Sequence, residues 1–299
     1  MEPADRAADG GIGRLTPSPI TLSSAADIVA ALHDPALVPP DSDDPSDGST
    51  LRLRRAMARF SLPGDHPPRR LAVVAAIDGV DVTGAEAAAA QHTTVRLVGP
   101  TIDAAQTIAR SVPTETLAVC LGVTDDLAGI VADVEAMVRV IGRGEPATAD
   151  TDAAVDRLTG RFAADLADPV PILSMLYQNF DATAALFAAT LLATVTPGRP
   201  VSAVPRTRRV AAVGTTVDDR TIDAGTAVTV EIGTAGLPFG AGPHECPGQQ
   251  LATHIVRGMV AAVASAGYRV DLTAVTCDDD GRPVNLPLMA MSSPPPDSR

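Results

Sequence analysis

The sequence contains no lysine and no tryptophan, and it has only two tyrosines and five phenylalanines among 299 residues. Apart from five histidines, its basic side chains are all arginines, and the formal net charge is -13. A chain with this excess of acid would be repelled by a phosphate backbone, so we expect no nucleic-acid partner. Since aromatic residues are scarce, the core must consist mainly of Ala, Val, Leu and Ile, and the abundant Ala favours helices.

Cysteine and long apolar segments are also scarce. Cys120, Cys246 and Cys277 are too few for a disulfide framework, and no C-x-x-C pair indicates zinc. The longest nearly apolar run, residues 182–195, is too short to cross a bilayer. The first residues, MEPADRAADGG, lack the apolar region of a signal peptide. We therefore expect a cytoplasmic protein with reduced thiols and no membrane partner.

The composition predicts a single folded domain between two loose ends. Residues 1–20 and 289–299 are rich in small polar residues, Gly or Pro, which predicts disorder at both ends. Hydrophobic residues make up 45% of the chain, which is ample for a core. No internal repeat or clear linker interrupts the remainder. We therefore expect one domain over residues 21–288.

Helical spacing of apolar residues dominates this domain. It predicts helices over residues 82–110, 125–141 and 172–194. The segment ETLAVCLGV fits either a short strand or a helix end, with Cys120 as a core thiol. The β-branched segments RRVAAVG and AVTVEIG predict a small antiparallel hairpin. Asp65 is the expected cap of a further helix, which continues from Arg69. The predicted fold class is mainly α with a minor β region.

The segment LPFGAGPHECPGQQLATHIV, residues 237–256, has an unusual composition. Its three glycines allow sharp bends, and a helix beginning near Pro247 would direct free N–H groups towards Cys246 and stabilise a thiolate. Two chemistries fit such a thiolate. It can ligate a haem iron, or it can act as a nucleophile with His244 as its base. The spacing of two residues in a tight loop disfavours the catalytic pair.

The segment FGAGPHECPGQQLA resembles the haem-binding signature of the cytochrome P450 superfamily, F-G-x-G-x-H-x-C-x-G-x-x-L-A. The resemblance implies that the chain binds haem b and that Cys246 is the iron ligand. It also implies that Phe239 packs beside the thiolate and that His244 reaches a haem propionate. By the same resemblance, Gly240 and Gly248, which match glycines of this signature, also belong to the cofactor site.

Two further segments resemble parts of this family that bind propionates. In GDHPPRR, His66 and Arg70 match an H-x-x-x-R pair, whose spacing places both cations on one helical face. In PRTRRVAAVG, the resemblance gives a propionate contact to Arg209, although Arg208 is equally close in sequence.

The segment YQNFDATAALF resembles the middle of the family's long distal helix, where an acid and a threonine deliver protons. Asp181 matches the acid and Thr183 matches the second threonine, but Ala182 replaces the first. The resemblance implies that Asp181, Thr183 and Asn179 are the catalytic side chains. The missing hydroxyl at Ala182 counts against ordinary dioxygen activation.

The resemblance covers four blocks in family order, about residues 51–75, 172–194, 200–232 and 237–266. Parts of the family pattern are missing between them. The family's E-x-x-R motif is absent, and little room remains for the helices and loop that usually precede the cysteine segment. The implied fold is therefore a shortened cytochrome P450-like fold.

The activity implied by the resemblance is that of a haem-thiolate monooxygenase or oxidase acting on a small organic molecule, in specialised metabolism. Electrons would come from a ferredoxin and a ferredoxin reductase. The expected docking patch for the ferredoxin is a group of arginines: Arg52, Arg54, Arg55, Arg59, Arg69 and Arg70. One alternative is a haem-thiolate enzyme that uses peroxide or catalyses a rearrangement or dehydration. Another is a non-catalytic accessory protein, which the absent E-x-x-R motif favours and the retained Cys246 disfavours.

Overall fold

The computed structural model describes residues 17–42, 45–163, 168–198, 203–278 and 282–291. Within them lie nine α-helices: α1 Ala25–His33, α2 Ser49–Ala56, α3 His66–Asp78, α4 Val82–Thr94, α5 Val112–Cys120, α6 Leu127–Ile141, α7 Ala149–Phe162, α8 Val170–Val195 and α9 Gln249–Ser265. The strands are β1 Ile20–Leu22, β2 Leu37–Val38, β3 Thr101–Asp103, β4 Thr207–Ala211, β5 Thr215–Val217, β6 Arg220–Ile222, β7 Ala227–Val230, β8 Tyr268–Val270 and β9 Pro287–Ala290. The predicted class, mainly α with a minor β region, is confirmed.

Helix α8 is the centre of the larger hydrophobic core. It buries residues on several sides, including Leu176 and Phe187, and packs against α3, α5, α6, α7 and α9. Pro171 lies in its first turn, where a missing N–H costs no helical hydrogen bond, and Pro197 follows its end. The helix predicted over residues 172–194 is confirmed.

A second, smaller core lies between α1 and a four-stranded sheet. The strand order is β1-β7-β4-β2, with β1 parallel to β7 and the other pairs antiparallel. Leu22, Val228 and Val230 of the sheet pack with Ile28 and Leu32 of α1. The predicted hairpin is confirmed as the β4–β7 pair, and the connection between these strands forms a hairpin of its own, β5–β6.

The other predicted elements agree with the structure in part. The helix expected over residues 82–110 ends at Thr94, and β3 and a π-helix, Ala105–Ala109, follow it. Strand β3 pairs with the remote strand β9, so its partner was not visible locally. The segment around Cys120 is the end of helix α5, which is one of the two structures expected for it. Helix α3 does begin where expected, at His66 directly after Asp65.

Asp65 occupies the predicted N-cap position of α3, but its side chain does not cap the helix. Asp65 does precede the helix, but its side chain accepts no capping hydrogen bond, and its backbone is helical rather than extended. The Asp65 carboxylate instead lies 3.8 Å from the Arg69 guanidinium one turn later.

The predicted loose ends fall mostly outside the described residues, which exclude 1–16 and 292–299. Of the inner parts of those ends, Ile20 belongs to β1, and Met289 and Ala290 belong to β9. Ordered structure therefore extends slightly beyond the predicted domain limits, and the single-domain organisation stays a prediction. None of the helices in the described residues is long and apolar enough to cross a membrane.

Candidate functional site

The cysteine loop, residues 239–248, connects the sheet region to helix α9. The backbone N–H of Cys246 donates to the carbonyl of Phe239 at 2.9 Å and closes the loop. Gly240 and Gly242 have φ angles of 73° and 69°, in the left-handed region that favours glycine. Gly248 is the N-cap of α9, and its backbone N–H donates to the thiol sulfur of Cys246. The helix therefore begins two residues later than expected but still directs an N–H group at the sulfur.

Two opposing influences act on the Cys246 thiol. Burial raises its pKa above the ordinary value, while the Gly248 N–H and the charges of Arg59 and Arg70 favour the thiolate. The other cysteines lack these favourable groups, since both burial and the charge of Asp81 raise the pKa of the Cys120 thiol, and Cys277 is exposed. Cys246 is therefore the thiol whose surroundings suit a metal-bound thiolate.

Cationic and imidazole side chains from three elements converge near this loop. His66, the first residue of α3, is buried, and its ring lies 4.0 Å from that of His244 in the loop. The Nη1 atom of Arg70 donates to the Glu245 carbonyl at 2.6 Å. Arg209 comes from β4 and is only 7% exposed. The structure thus brings together the four residues expected to bind propionates.

Alternation along β4 distinguishes the two adjacent arginines. Residue 209 faces inwards with residue 211, whereas Arg208 faces solvent. The Arg209 guanidinium is held by the Thr207 hydroxyl and the Arg208 carbonyl, both at 2.9 Å. Arg209, rather than Arg208, therefore contributes to the site.

The electrostatics of this cluster are those of an anion site. Burial lowers the pKa of His244 to about 3, with repulsion from His66 and Arg209 adding to the effect. Burial and the charge of Arg59 lower the pKa of Arg209 to about 10. Within the described part of the chain, the ion pairs are formed by other arginines and histidines, and no carboxylate pairs with Arg59, Arg70 or Arg209. A buried cation without a carboxylate partner, such as Arg209, is costly, so this arrangement favours an anionic ligand.

Arg59 is the residue that sequence reasoning did not assign to this site. Its guanidinium forms a hydrogen bond with the Tyr177 hydroxyl of α8, and its charge acts on Cys246, His244 and Arg209. The sequence shows only that Arg59 lies in an arginine-rich segment. For that reason Arg59 is counted with the expected docking patch in the sequence analysis.

That patch is smaller than the sequence suggested. Arg54 is buried and pairs with Asp41, and Arg55 pairs with Asp47 of the preceding acidic segment. The Arg69 guanidinium donates to the Arg55 carbonyl and to Ser61. Arg70 is directed into the cysteine loop. Arg52, Arg55 and Arg59 are the exposed arginines of this segment, and Arg55 among them is paired with Asp47.

The three expected catalytic residues of α8 do not share one face. The Thr183 hydroxyl is 2.8 Å from the Asn179 Oδ1 atom, to which it donates, and these two residues lie one turn apart in the interior. The Asn179 Nδ2 atom is buried and has no protein partner. Asp181 lies on the opposite side of the helix, where it is exposed and pairs with Arg143 at 2.9 Å. The structure therefore joins Asn179 and Thr183 but separates Asp181 from them.

Comparison with known proteins identifies the fold. The sequence matches no family model and no curated protein sequence. Its structure is similar to P450BioI in complex with hexadec-9Z-enoic acid ligated acyl carrier protein, with a TM-score of 0.71, 14% identity, and coverage of 90% of this chain and 91% of that chain. The chain has the cytochrome P450 fold.

Two other structures show the same P450 fold. The thermophilic cytochrome P450 from Sulfolobus tokodaii has a TM-score of 0.70 and 16% identity, with coverage of 91% of this chain and 94% of that chain. The open cytochrome P450 Eryk from S. erythraea has a TM-score of 0.68 and 19% identity, with coverage of 93% and 92%. The expected P450-like fold is confirmed.

The residues around Cys246 fit the group that a P450 fold implies. A haem with two carboxylates needs an axial ligand and cationic or N–H partners. Cys246 offers a sulfur that already accepts one N–H, and Arg70, Arg209, His66 and His244 offer donors without acidic partners in the described residues. The donor set therefore matches haem in both charge and chemistry.

Proposed function

We propose that the chain binds haem b through Cys246 and acts as a haem-thiolate monooxygenase or oxidase on a small organic molecule. The observation that supports this most strongly is the half-buried Cys246 thiol in a P450 fold, next to arginines that have no carboxylate partner in the described structure. A soluble haem protein with an axial thiolate supplies oxidative chemistry because the thiolate donates electron density to the iron.

In this proposal, the cluster around the cysteine loop orients the cofactor. His66 and His244 are neutral imidazoles at neutral pH, since burial and nearby cations lower the pKa of both. Each can donate one N–H to a carboxylate, while Arg70 and Arg209 supply charge. The carboxylates would in turn neutralise the repulsion among these groups.

Asn179 and Thr183 would hold hydrogen-bonded groups beside the reacting molecule. Because the Thr183 hydroxyl donates to Asn179, its oxygen remains free to accept a hydrogen bond. The buried Nδ2 group of Asn179 remains free to donate one to a substrate or a water molecule. Together they can position a proton donor, as Ala182 cannot.

The size and class of the substrate are inferred from the neighbours. One similar structure is a mutant of P450 EryK in complex with erythromycin B, and another is epothilone D-bound P450epoK. Identities of 18% and 16% support only a broad class of substrate. We therefore propose a small organic molecule of specialised metabolism, without assigning its structure.

A ferredoxin, reduced by a ferredoxin reductase, is the proposed electron donor. The exposed Arg52, and the exposed Arg55 beside its partner Asp47, form the proposed docking surface on a chain of net charge -13. Changing both to glutamate should slow reduction by ferredoxin at least severalfold at low salt and leave the haem spectrum unchanged. An unchanged reduction rate would exclude this surface as the docking site.

A second candidate is a haem-thiolate enzyme that uses peroxide. The observation that favours it is the combination of Ala182 with the ion pair between Asp181 and Arg143, which leaves no free acid beside Thr183 in the described structure. The test is product formation from a panel of small lipophilic compounds, with either NADPH, ferredoxin and reductase or hydrogen peroxide alone. Turnover that needs ferredoxin supports the first candidate, and turnover with peroxide alone supports the second. A protein that binds no haem and shows no turnover would exclude both enzymatic candidates and support the role of a non-catalytic accessory protein.

A further inference from the structure

The cysteine loop is packed directly against the end of helix α1. A Cβ atom at Gly242 would lie 2.8 Å from the Leu32 carbonyl oxygen and 3.2 Å from two ring atoms of His33. Such distances leave no room for a side chain at residue 242. The backbone of the loop therefore lies directly against the last turn of α1.

The same part of the loop belongs to the smaller core. Ala241 of the loop, and Leu237 just before it, pack against the cluster formed by α1 and the four-stranded sheet, which includes Leu32. The later part of the loop behaves differently, because Gly248 starts helix α9, whose buried residues belong to the larger core. The loop thus bridges two cores, and Cys246 lies between the two points of attachment.

The remaining contacts of this loop in the described structure are internal or come from helix α3, including the ring contact of His66 with His244. The Cys246 N–H closes it internally on Phe239, and Arg70 from α3 holds the Glu245 carbonyl. The sequence contains no E-x-x-R motif that could brace it. We propose that the last turn of α1, through its contact with Gly242, is the positioning element that sets the location of the Cys246 thiolate for iron ligation. This inference rests on the proposed haem binding.

Two glycine substitutions separate this contact from simple backbone strain. Gly240→Ala and Gly242→Ala place alanine at nearly the same positive φ, 73° and 69°. At Gly240, however, nothing lies within 4 Å of the added Cβ, whereas at Gly242 it meets α1. Both variants place a side chain at nearly the same positive φ, so a difference between them reports mainly on the contact.

The readouts are the ferrous carbonyl spectrum and the rate at which haem transfers to apomyoglobin, with far-UV circular dichroism as a check of folding. We expect Gly242→Ala to lose most of the red-shifted carbonyl band and to release haem about tenfold faster than Gly240→Ala, which is the scale expected for overpacking. Equal behaviour of the two variants would overturn the inference.

A second pair of variants tests α1 without touching the loop. The Ser24 hydroxyl caps the far end of α1 by accepting the Asp27 N–H at 3.1 Å. Thr148 caps α7 in the same way, accepting the Thr151 N–H at 3.2 Å, and α7 packs against α2, α6 and α8. Ser24→Ala should speed haem loss severalfold, and Thr148→Ala should not. This pair remains decisive if Gly242→Ala does not fold.

The outcomes distinguish this inference from the function on which it rests. If the wild-type protein gives no red-shifted carbonyl band, haem-thiolate binding is refuted and the inference fails with it. If the wild type gives that band but the two variants of each pair lose haem at the same rate, haem binding stands and the role of α1 is refuted.

Discussion

The imidazole rings of His66 and His244 lie with their centroids 4.0 Å apart and tilted by 42°, although they come from helix α3 and the cysteine loop. Burial and neighbouring arginines lower the pKa of both rings, so they pack as neutral groups. This contact joins two regions that are remote in sequence and directs both rings into the arginine cluster.

The first prediction concerns the hydrogen-bonding role of this pair. His66→Phe retains a ring but removes the N–H, so it should lower haem affinity about tenfold, as expected for one lost hydrogen bond to a carboxylate. Haem titration of the apoprotein measures this loss. His92→Phe, at a histidine of α4 that lies beside Glu115, is the control and should leave the affinity unchanged. An unaltered affinity in His66→Phe would show that His66 only fills space.

The second prediction contrasts Arg209 with its neighbour. Arg209→Leu should lower haem affinity at least about tenfold, because a buried cation is lost. The same change should leave the apoprotein as stable or more stable, since an unpaired buried charge is removed. Haem titration and urea unfolding measure the two effects. Arg208→Leu is the control, because it is the same substitution at the neighbouring arginine that faces solvent. An equal loss of haem affinity in both variants would contradict the assignment of Arg209 to the site.

The third prediction concerns the packing of α4 on α9, the helix that follows the cysteine loop. A Cβ at Gly258 would lie 2.1 Å from the Glu86 carbonyl oxygen, so Gly258→Ala should destabilise the protein by about 2 kcal/mol or more. Gly160 of α7 has nothing within 4 Å of such a Cβ, and Gly160→Ala should stabilise by about 0.5 kcal/mol. Urea unfolding of the apoprotein gives both values. If both substitutions changed the free energy of unfolding in the same direction, the close approach of the two helices would be contradicted.

The fourth prediction concerns pH and the contact between Glu86 of α4 and α9. A hydrogen bond from Arg257, assisted by His254 at 2.9 Å, holds the pKa of the Glu86 carboxyl below its usual 4.5. Because the folded-state pKa is depressed, this contact stabilises the fold above that usual value and is lost as the pH falls through the folded-state pKa. Glu86→Gln should therefore lower the melting temperature at neutral pH, and the difference from wild type should shrink below about pH 4.

The control for this pH experiment is Glu145→Gln, since Glu145 is an exposed glutamate remote in sequence from both helices. Its melting temperature should differ little from wild type at any pH. A Glu86→Gln effect that stays constant down to acid pH would indicate that packing, and not charge, joins the two helices.

The features that the sequence predicted well were those with local signals. Helix α8 was predicted because its apolar residues repeat with helical spacing and prolines mark both of its ends. The cysteine loop was visible because its glycines, His244 and Cys246 are fixed by chemistry at short range. The P450-like fold followed from that segment, and comparison of the structure confirmed it.

The features that were missed depend on partners remote in sequence. Strand β3 has only three residues and pairs with β9, so the helical prediction over residues 82–110 had no local evidence against it. The packing of α1 against Gly242 could not be predicted, because it is a contact between backbones. Helix α7 did carry a local signal, the cap formed by Thr148 and Thr151, but not the usual glutamate of a capping box.

The separation of Asp181 from Thr183 was also predictable in part. Residues 179 and 183 are one turn apart on a helix, while residue 181 lies about 200° away from residue 179. Sequence alone could not show that Arg143 would pair with Asp181, because that contact joins the end of α6 to α8. The interior and exterior of a helix are set by what packs around it.

The central claim is that Cys246 ligates haem iron, and the ferrous carbonyl spectrum tests it most directly. Protein from haem-supplied cells would be compared with Cys246→Ala, and with Cys120→Ala and Cys277→Ala as matched controls. We expect a strongly red-shifted carbonyl band in the wild type and in both controls, and its complete loss in Cys246→Ala. A wild-type protein without haem, or a red-shifted band that persists in Cys246→Ala, would contradict the claim.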